Sequence, residues 1–171
     1  LLGAGGNAVD LSNYSFSFEV VEIKEDGTVK THDNGAAVVT ATGRSDATGK
    51  VTFSDVIYNG LQEVKCENKT NGASGDHIHY YMIRESQGTA QGITYSKQNY
   101  YIKVTVNDNG KGTLSVKNVT YYKDLFNTAI DANQVVFTNH HGSGSAELDL
   151  TVNKVVQVQY PVRPQTLALR G

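Results

Sequence analysis

Short runs of alternating apolar and polar residues recur along this chain and are separated by turns rich in glycine and asparagine. From Tyr14 to Val20, for example, large apolar residues alternate with Ser15, Ser17 and Glu19, as expected for a strand with one buried face. Such runs predict strands at 14–24, 36–41, 51–53, 78–85, 100–106, 113–122, 135–139 and 148–158. No segment has a sustained helical period, and residues 124–133 can hold at most a helical turn. The pattern predicts an all-β sandwich.

Composition argues against several classes of protein. The net charge of −2 over 171 residues offers no basic face for nucleic acid. No apolar run approaches the about 20 residues that cross a bilayer, so membrane insertion is not expected. Residues 1–9 lack a basic start and are not expected to be a signal peptide. The single cysteine, Cys66, cannot form an internal disulfide or a Cys-x-x-Cys metal site.

Lys154, Asn139 and Glu85 each lie on an otherwise apolar face of a predicted strand. Residues two apart in a strand share a face. The even positions of 148–158 are apolar except for Lys154, and Asn139 and Glu85 each end the apolar face of another predicted strand. An isolated buried charge is costly. These three residues are therefore the candidates for chemistry in the core.

The three residue types can form a covalent cross-link if they meet. Desolvation favours a neutral, nucleophilic lysine amine and a protonated carboxyl. The amine of Lys154 can attack the side-chain carbonyl carbon of Asn139 while Glu85 polarises that carbonyl and moves protons. Ammonia leaves and an amide remains, so the reaction runs once per chain and needs no cofactor.

The residues alone leave simpler readings open. Lys154 can extend its amine to the edge of the sandwich and keep it in water. Asn139 can be the first residue of a loop that begins before His140, and Glu85 can be a turn residue before Ser86.

Five segments resemble motifs of a known family in order and spacing from about residue 11 to 139: Tyr14–Glu19, Gly49–Phe53, Tyr80–Glu85, Tyr101–Gly110 and Val136–Asn139. The family is that of the isopeptide-linkage domains of Gram-positive, streptococcal-type pilins, which are Ig-like modules of the collagen-adhesin B type. The resemblance implies an antiparallel β-sandwich with one mixed or parallel strand pair. It also implies that Asn139 is the acceptor of the bond and that Glu85 assists the reaction.

The sequence departs from the family at the reactive lysine, which the family carries on its first strand. Residues 1–13 contain no lysine, whereas the segment 150–156, with Lys154, resembles that first strand. The segment can open a second domain, can return to its own domain in a circularly permuted chain, or can complete a neighbouring chain. We favour a strand that completes a domain lacking one, in the same or the next chain.

These considerations predict the following organisation of the chain. The sandwich spans 1–139, a flexible linker 140–147, the lysine-bearing strand 148–159 and an extended tail 160–171. The tail begins with Tyr160-Pro161, which resembles the family's subunit-joining motif, although Val162 stands where its lysine is expected.

By the same resemblance, the chain is expected to be a structural module of a fibre attached to the bacterial cell wall. The expected partners are neighbouring pilin subunits or a complementing strand, and no enzyme activity beyond the single cross-linking step is expected. The alternative is an adhesin domain of the same fold, in which the polar loop 62–76 contacts a host surface molecule; a hydrolase has the least support.

His77 and His79 share a strand face without a third ligand, so the sequence favours a surface pair and no metal site.

Overall fold

The computed structural model describes residues 1–3, 6–59 and 74–142. The chain divides into two compact units. Among the described residues, the larger unit lies within Leu11–Gly88 and Ser96–Phe137, and the smaller one within Leu1–Asp10, Thr89–Tyr95 and 138–142. Lys154, with the whole of its predicted strand and the tail, lies outside the described residues, as does most of the predicted loop 62–76.

Nine strands account for most of the regular structure in the described residues. In chain order they are β1 (Ser17–Ile23), β2 (Val39–Ser45), β3 (Val51–Phe53), β4 (Gly75–Glu85), β5 (Ile93–Thr94), β6 (Asn99–Asp108), β7 (Leu114–Tyr122), β8 (Ala129–Ile130) and β9 (His140–His141). A 3-10 turn, Ala132–Gln134, overlaps the end of the range 124–133, in which the sequence allowed one helical turn. The expected all-β fold class is confirmed, and no helix in the described residues is long and apolar enough to span a membrane.

The larger unit is built on a seven-stranded sheet with the order β3-β2-β1-β4-β6-β7-β8. Every neighbouring pair is antiparallel. The central strand β4 pairs with β1 on one side and with β6 on the other, and it is the longest strand of the sheet. Residues on β4 are therefore held by backbone hydrogen bonds on both edges, which fixes the direction of their side chains.

Both faces of this sheet carry apolar side chains. On one face, residues that include Val20, Tyr81 and Ile83 form a core with partly buried side chains from the segments 53–58 and 135–137. On the other face, Tyr80 and Met82 pack with residues that the turns before β2 and after β7 contribute. Two-sided burial explains why residues 80–83 read as an unbroken apolar run and not as an alternating one.

Aspartates in three turns accept hydrogen bonds that hold the connections between strands. The carboxylate of Asp26 accepts the amide hydrogen of Thr28, Asp46 that of Thr48, and Asp124 that of Thr128. Hydrogen bonds from these threonines are the main cause of the lowered pKa of all three carboxyls, because the donors stabilise the charged form.

The smaller unit contains the two-stranded sheet of β5 and β9, which pair antiparallel. Leu2 forms an isolated parallel bridge with His140 and an antiparallel one with Ala8. One parallel pairing is therefore present, between Leu2 and His140, in addition to the antiparallel pairing of β9 with β5.

Two predicted boundaries differ from the structure. His140 and His141 were assigned to a flexible linker, yet they form β9. Residues 135–139 were predicted as a strand, yet they belong to no ladder. Their side chains nevertheless alternate as predicted, because Val135, Phe137 and Asn139 are partly or fully buried while the residues between them are exposed.

We predict that Gly43→Ala destabilises the larger unit. A Cβ atom at Gly43 would lie 2.7 Å from Cδ1 of Phe53, on the adjacent strand β3, so the ring must shift. We expect a loss of about 1–3 kcal/mol in the free energy of unfolding, measured by chemical denaturation. Gly142→Ala is the control, since its nearest atom would lie at 3.9 Å; equal losses in both variants would contradict the steric reason.

We also predict that Asp76 contributes to the acid sensitivity of the fold. Its carboxylate accepts hydrogen bonds from Lys117 at 2.7 Å and from Asn107 at 2.8 Å, and these, Lys117 first, lower its pKa. Because the folded-state pKa is depressed, the stabilisation is complete above the unfolded pKa of about 4 and is lost as the pH falls through the folded value. In this pH range, the melting temperature of Asp76→Asn should fall less steeply with decreasing pH than that of Asp55→Asn. Asp55 is an exposed aspartate and serves as the control.

Candidate functional site

Glu85 is the last residue of β4 and lies on its buried face. Its side chain shares that face with Tyr81 and Ile83, and the residue is 5% exposed. Phe18 of β1 is its cross-strand partner. The alternative reading of Glu85 as an exposed turn residue is wrong.

Aromatic rings surround the end of β4 that carries Glu85. The ring of Phe18 is 4% exposed and contacts that of Phe137 with centroids 5.0 Å apart. Phe137 in turn contacts Tyr100 at 5.2 Å, and the Tyr100 hydroxyl donates a hydrogen bond to the backbone carbonyl of Val136 at 2.8 Å. Residues 136–137 are therefore anchored, through these contacts, on the sheet face that carries Glu85.

On the opposite face of the same strands, the carboxylate of Glu19 has a different environment. Glu19 forms an ion pair with Arg84 at 3.2 Å and accepts a hydrogen bond from the hydroxyl of Ser86. The side chain of Glu19 is 26% exposed. Two glutamates on adjacent strands thus have opposite environments, one partly hydrated and ion-paired and the other buried opposite Phe18.

Desolvation shifts the pKa of Tyr80, a titratable residue of the larger unit. Tyr80 is buried on the other face of β4, where its ring packs against Phe126. Burial, with a smaller contribution from Glu25, raises the pKa of Tyr80 to about 12. At this position burial therefore favours the neutral phenol.

Asn139 belongs to the smaller unit, where it directly precedes β9. The residue is 4% exposed, and its backbone carbonyl accepts the amide hydrogen of Leu2 at 2.7 Å. Asn139 is thus a buried, backbone-paired residue that lies just outside the β9 ladder. The sequence did not reveal the pairing with Leu2, because residues 1–3 are too short a segment to show a strand pattern.

The described residues therefore include two members of the predicted triad. Glu85 lies in the larger unit and Asn139 in the smaller one. Both are buried, as strand parity predicted. Lys154 lies outside the described residues, and its role stays a prediction.

The expected surface pair of histidines is wrong for His77, which is 0% exposed. The ring of His79 lies between those of Tyr58, at 4.9 Å, and Tyr81, at 6.3 Å. Within the part of the chain that the structure describes, no three metal-ligating side chains form a cluster. This histidine pair is therefore part of the packing of β4.

Comparisons with known proteins identify the class of this domain. The family model described as the Spy0128-like isopeptide-containing domain, FctA, matches residues 4–142. No curated protein sequence matches significantly. The all-β fold and the match over most of the chain define a pilin-type isopeptide domain.

The chain belongs to the family of Spy0128-like isopeptide-containing domains, which confirms the resemblance that the sequence motifs indicated.

Similar solved structures include two crystal structures of variants of the major pilin from Streptococcus pyogenes. One is 18% identical with a TM-score of 0.49, and the other is 14% identical with a TM-score of 0.47. Each match covers 82% of this chain and 47% of the pilin chain, so this chain spans about half the length of those pilins.

Proposed function

We propose that this domain is a load-bearing module of a cell-surface fibre and that an autocatalytic bond between Lys154 and Asn139 stabilises it, with Glu85 as the assisting acid. The observation that carries the proposal is the burial of Glu85 and Asn139 in a member of an isopeptide-domain family. Neither residue type is commonly buried unless a specific partner or role retains it there.

The proposed reaction conserves atoms and charge. The neutral Nζ of Lys154 attacks Cγ of Asn139, and Glu85 in its protonated form donates a hydrogen bond to the amide oxygen. The new Nζ–Cγ bond forms as the bond from Cγ to Nδ2 breaks. The amine loses one proton in forming the amide, and the leaving nitrogen gains one through the carboxyl of Glu85, so that ammonia is released.

Burial favours the protonation states that this reaction needs. A desolvated amine loses its charge and becomes nucleophilic, and a desolvated carboxyl keeps its proton. The product is a neutral amide, which costs less to bury than an ammonium beside a carboxylate. In the sequence, Thr138 alone stands between Phe137 and Asn139. The ring of Phe137 packs on Phe18, which is the cross-strand partner of Glu85.

The bond would serve mechanical and proteolytic stability and not catalysis. A covalent tie near the end of the sandwich keeps terminal strands from peeling away under load. The proposed partners are neighbouring pilin subunits or a complementing strand, and the proposed location is a cell-wall-attached extracellular fibre. The alternative function as a host-binding adhesin depends on loop 62–76, most of which lies outside the described residues, and it stays a prediction.

Intact-mass measurement of the full chain tests the proposal. The wild type should weigh less than its sequence by one ammonia, about 17 Da. Lys154→Ala and Asn139→Ala should lose the deficit because each removes a reacting atom, and Glu85→Gln should lose it or acquire it slowly because the proton donor is gone.

Glu19→Gln is the matched control, since it changes a glutamate on the adjacent strand without touching the buried face. It should keep the full deficit. Circular dichroism of each variant verifies that the sheet has formed. A folded Lys154→Ala chain that still lacks one ammonia would overturn the assignment of the nucleophile.

A further inference from the structure

The tripeptide Asp-Asn-Gly occurs twice in this chain, at 33–35 and at 108–110, and each copy lies in a tight turn. The asparagine and the glycine are exposed in both turns. An asparagine side chain followed by glycine is open to attack by the next backbone nitrogen, because glycine has no Cβ to hinder the approach. Since the tripeptide is the same, the hydrogen bonds of the two turns decide which asparagine reacts faster.

In the turn between β6 and β7, three hydrogen bonds surround the atoms that would react. The amide of Gly110 donates to Oδ1 of Asp108 at 2.8 Å. The side-chain oxygen of Asn109 accepts the amide hydrogens of Lys111 at 2.8 Å and of Thr113 at 3.1 Å. The backbone nitrogen that would attack therefore lies beside a carboxylate, and two donors polarise the carbonyl that it would attack.

These hydrogen bonds meet the requirements of acyl transfer. A carboxylate that accepts the N–H hydrogen can act as a general base and remove the proton as the nitrogen attacks. Two N–H donors at the carbonyl oxygen stabilise the negative charge that develops there, as in an oxyanion hole. The nucleophile, the base and the oxyanion donors are therefore all supplied by residues 108–113.

The turn at 33–35 has different hydrogen bonds. The amide of Gly35 donates to the backbone carbonyl of His32 at 2.8 Å, and a peptide carbonyl is not a base of useful strength. The side-chain oxygen of Asn34 accepts the amide hydrogen of Ala36 at 3.0 Å. This turn therefore has the same tripeptide without a carboxylate at the attacking nitrogen, and it serves as an internal control.

We propose that Asp108, Asn109 and Gly110 form a self-modification site at which Asn109 deamidates through a cyclic imide. The backbone nitrogen of Gly110 attacks Cγ of Asn109, and the new N–Cγ bond forms as the bond from Cγ to Nδ2 breaks. The amide proton of Gly110 passes through the Asp108 carboxylate to the leaving nitrogen, and ammonia is released. Water then opens the imide at either of its carbonyls and leaves aspartate or isoaspartate.

The modification changes the charge and the backbone of the β6–β7 turn. It adds one negative charge to a chain whose net charge is −2. A carboxylate is an acceptor, so the aspartate form keeps the hydrogen bonds from the amides of Lys111 and Thr113. The isoaspartate form adds a methylene group to the backbone of the turn. Both products accumulate with the age of the chain and need no other protein.

This reaction is independent of the proposed Lys154–Asn139 bond, although each releases one ammonia. The imide takes up water, so deamidation ends about 1 Da above the starting mass, whereas the cross-link stays about 17 Da below it. In water labelled with heavy oxygen, the deamidated residue gains the label and the cross-link does not. The failure of either proposal therefore leaves the other one standing.

Site-resolved peptide mapping of the full chain tests the proposal. The folded chain is incubated at neutral pH in water labelled with heavy oxygen and digested in ordinary water, and the labelled fractions at Asn109 and Asn34 are followed over time. Asn109 should convert faster than Asn34 by a factor on the order of ten, below the usual range for a general base because a carboxylate is a weak one. In concentrated urea the two rates should converge.

Two results of this mapping would contradict the proposal. Equal rates in the folded chain, or a faster reaction at Asn34, would show that the hydrogen bonds of the β6–β7 turn do not promote the reaction. A preference for Asn109 that persists unchanged in urea would assign it to the flanking sequence and not to the fold. Neither comparison requires a substitution, so neither depends on the folding of a variant.

Two substitutions test the carboxylate itself. Asp108→Asn keeps the shape and an acceptor oxygen but removes the base, so it should lower the rate at Asn109 toward that at Asn34. Asp33→Asn is the matched control and should leave the rate at Asn34 unchanged, because the Gly35 amide is bonded to a backbone carbonyl. Circular dichroism verifies that both variants are folded. An unchanged or higher rate at Asn109 in folded Asp108→Asn would overturn the role of the carboxylate.

Discussion

The desolvation of Glu85 is the constraint on which the proposed chemistry of this domain depends. Phe18 lies opposite Glu85 on β1, and Phe18 packs against the ring of Phe137. On the other face of the same strands, Glu19 retains an ion pair with Arg84 and partial hydration. The sheet thus separates an ordinary surface carboxylate from a buried one, and only the buried one suits proton transfer in the core.

The features that could be predicted from the sequence are those that the alternation of apolar and polar residues within one strand determines. Alternation gave the all-β class and placed Glu85 and Asn139 on inward faces, and the structure has both residues buried. The extent of β3 was predicted to the residue, since turns bound it on both sides. Because parity depends only on neighbouring residues along one strand, it can be read without knowing the strand's partners.

What the sequence could not predict depends on pairing between distant segments. His77 was taken for a surface residue, although it lies on the same face of β4 as Tyr81 and Ile83 and is 0% exposed. His140 was taken for a linker because its neighbours are glycine-rich, yet it pairs with β5 and with Leu2. Such pairings are non-local, and a short polar or glycine-rich segment carries no periodic signal of them.

The most direct test of the central claim is peptide mapping of the proteolysed full chain by tandem mass spectrometry. The account predicts a branched peptide in which the Lys154 side chain is joined to that of Asn139. Linear peptides carrying an unmodified Lys154 and an intact Asn139 carboxamide would contradict it.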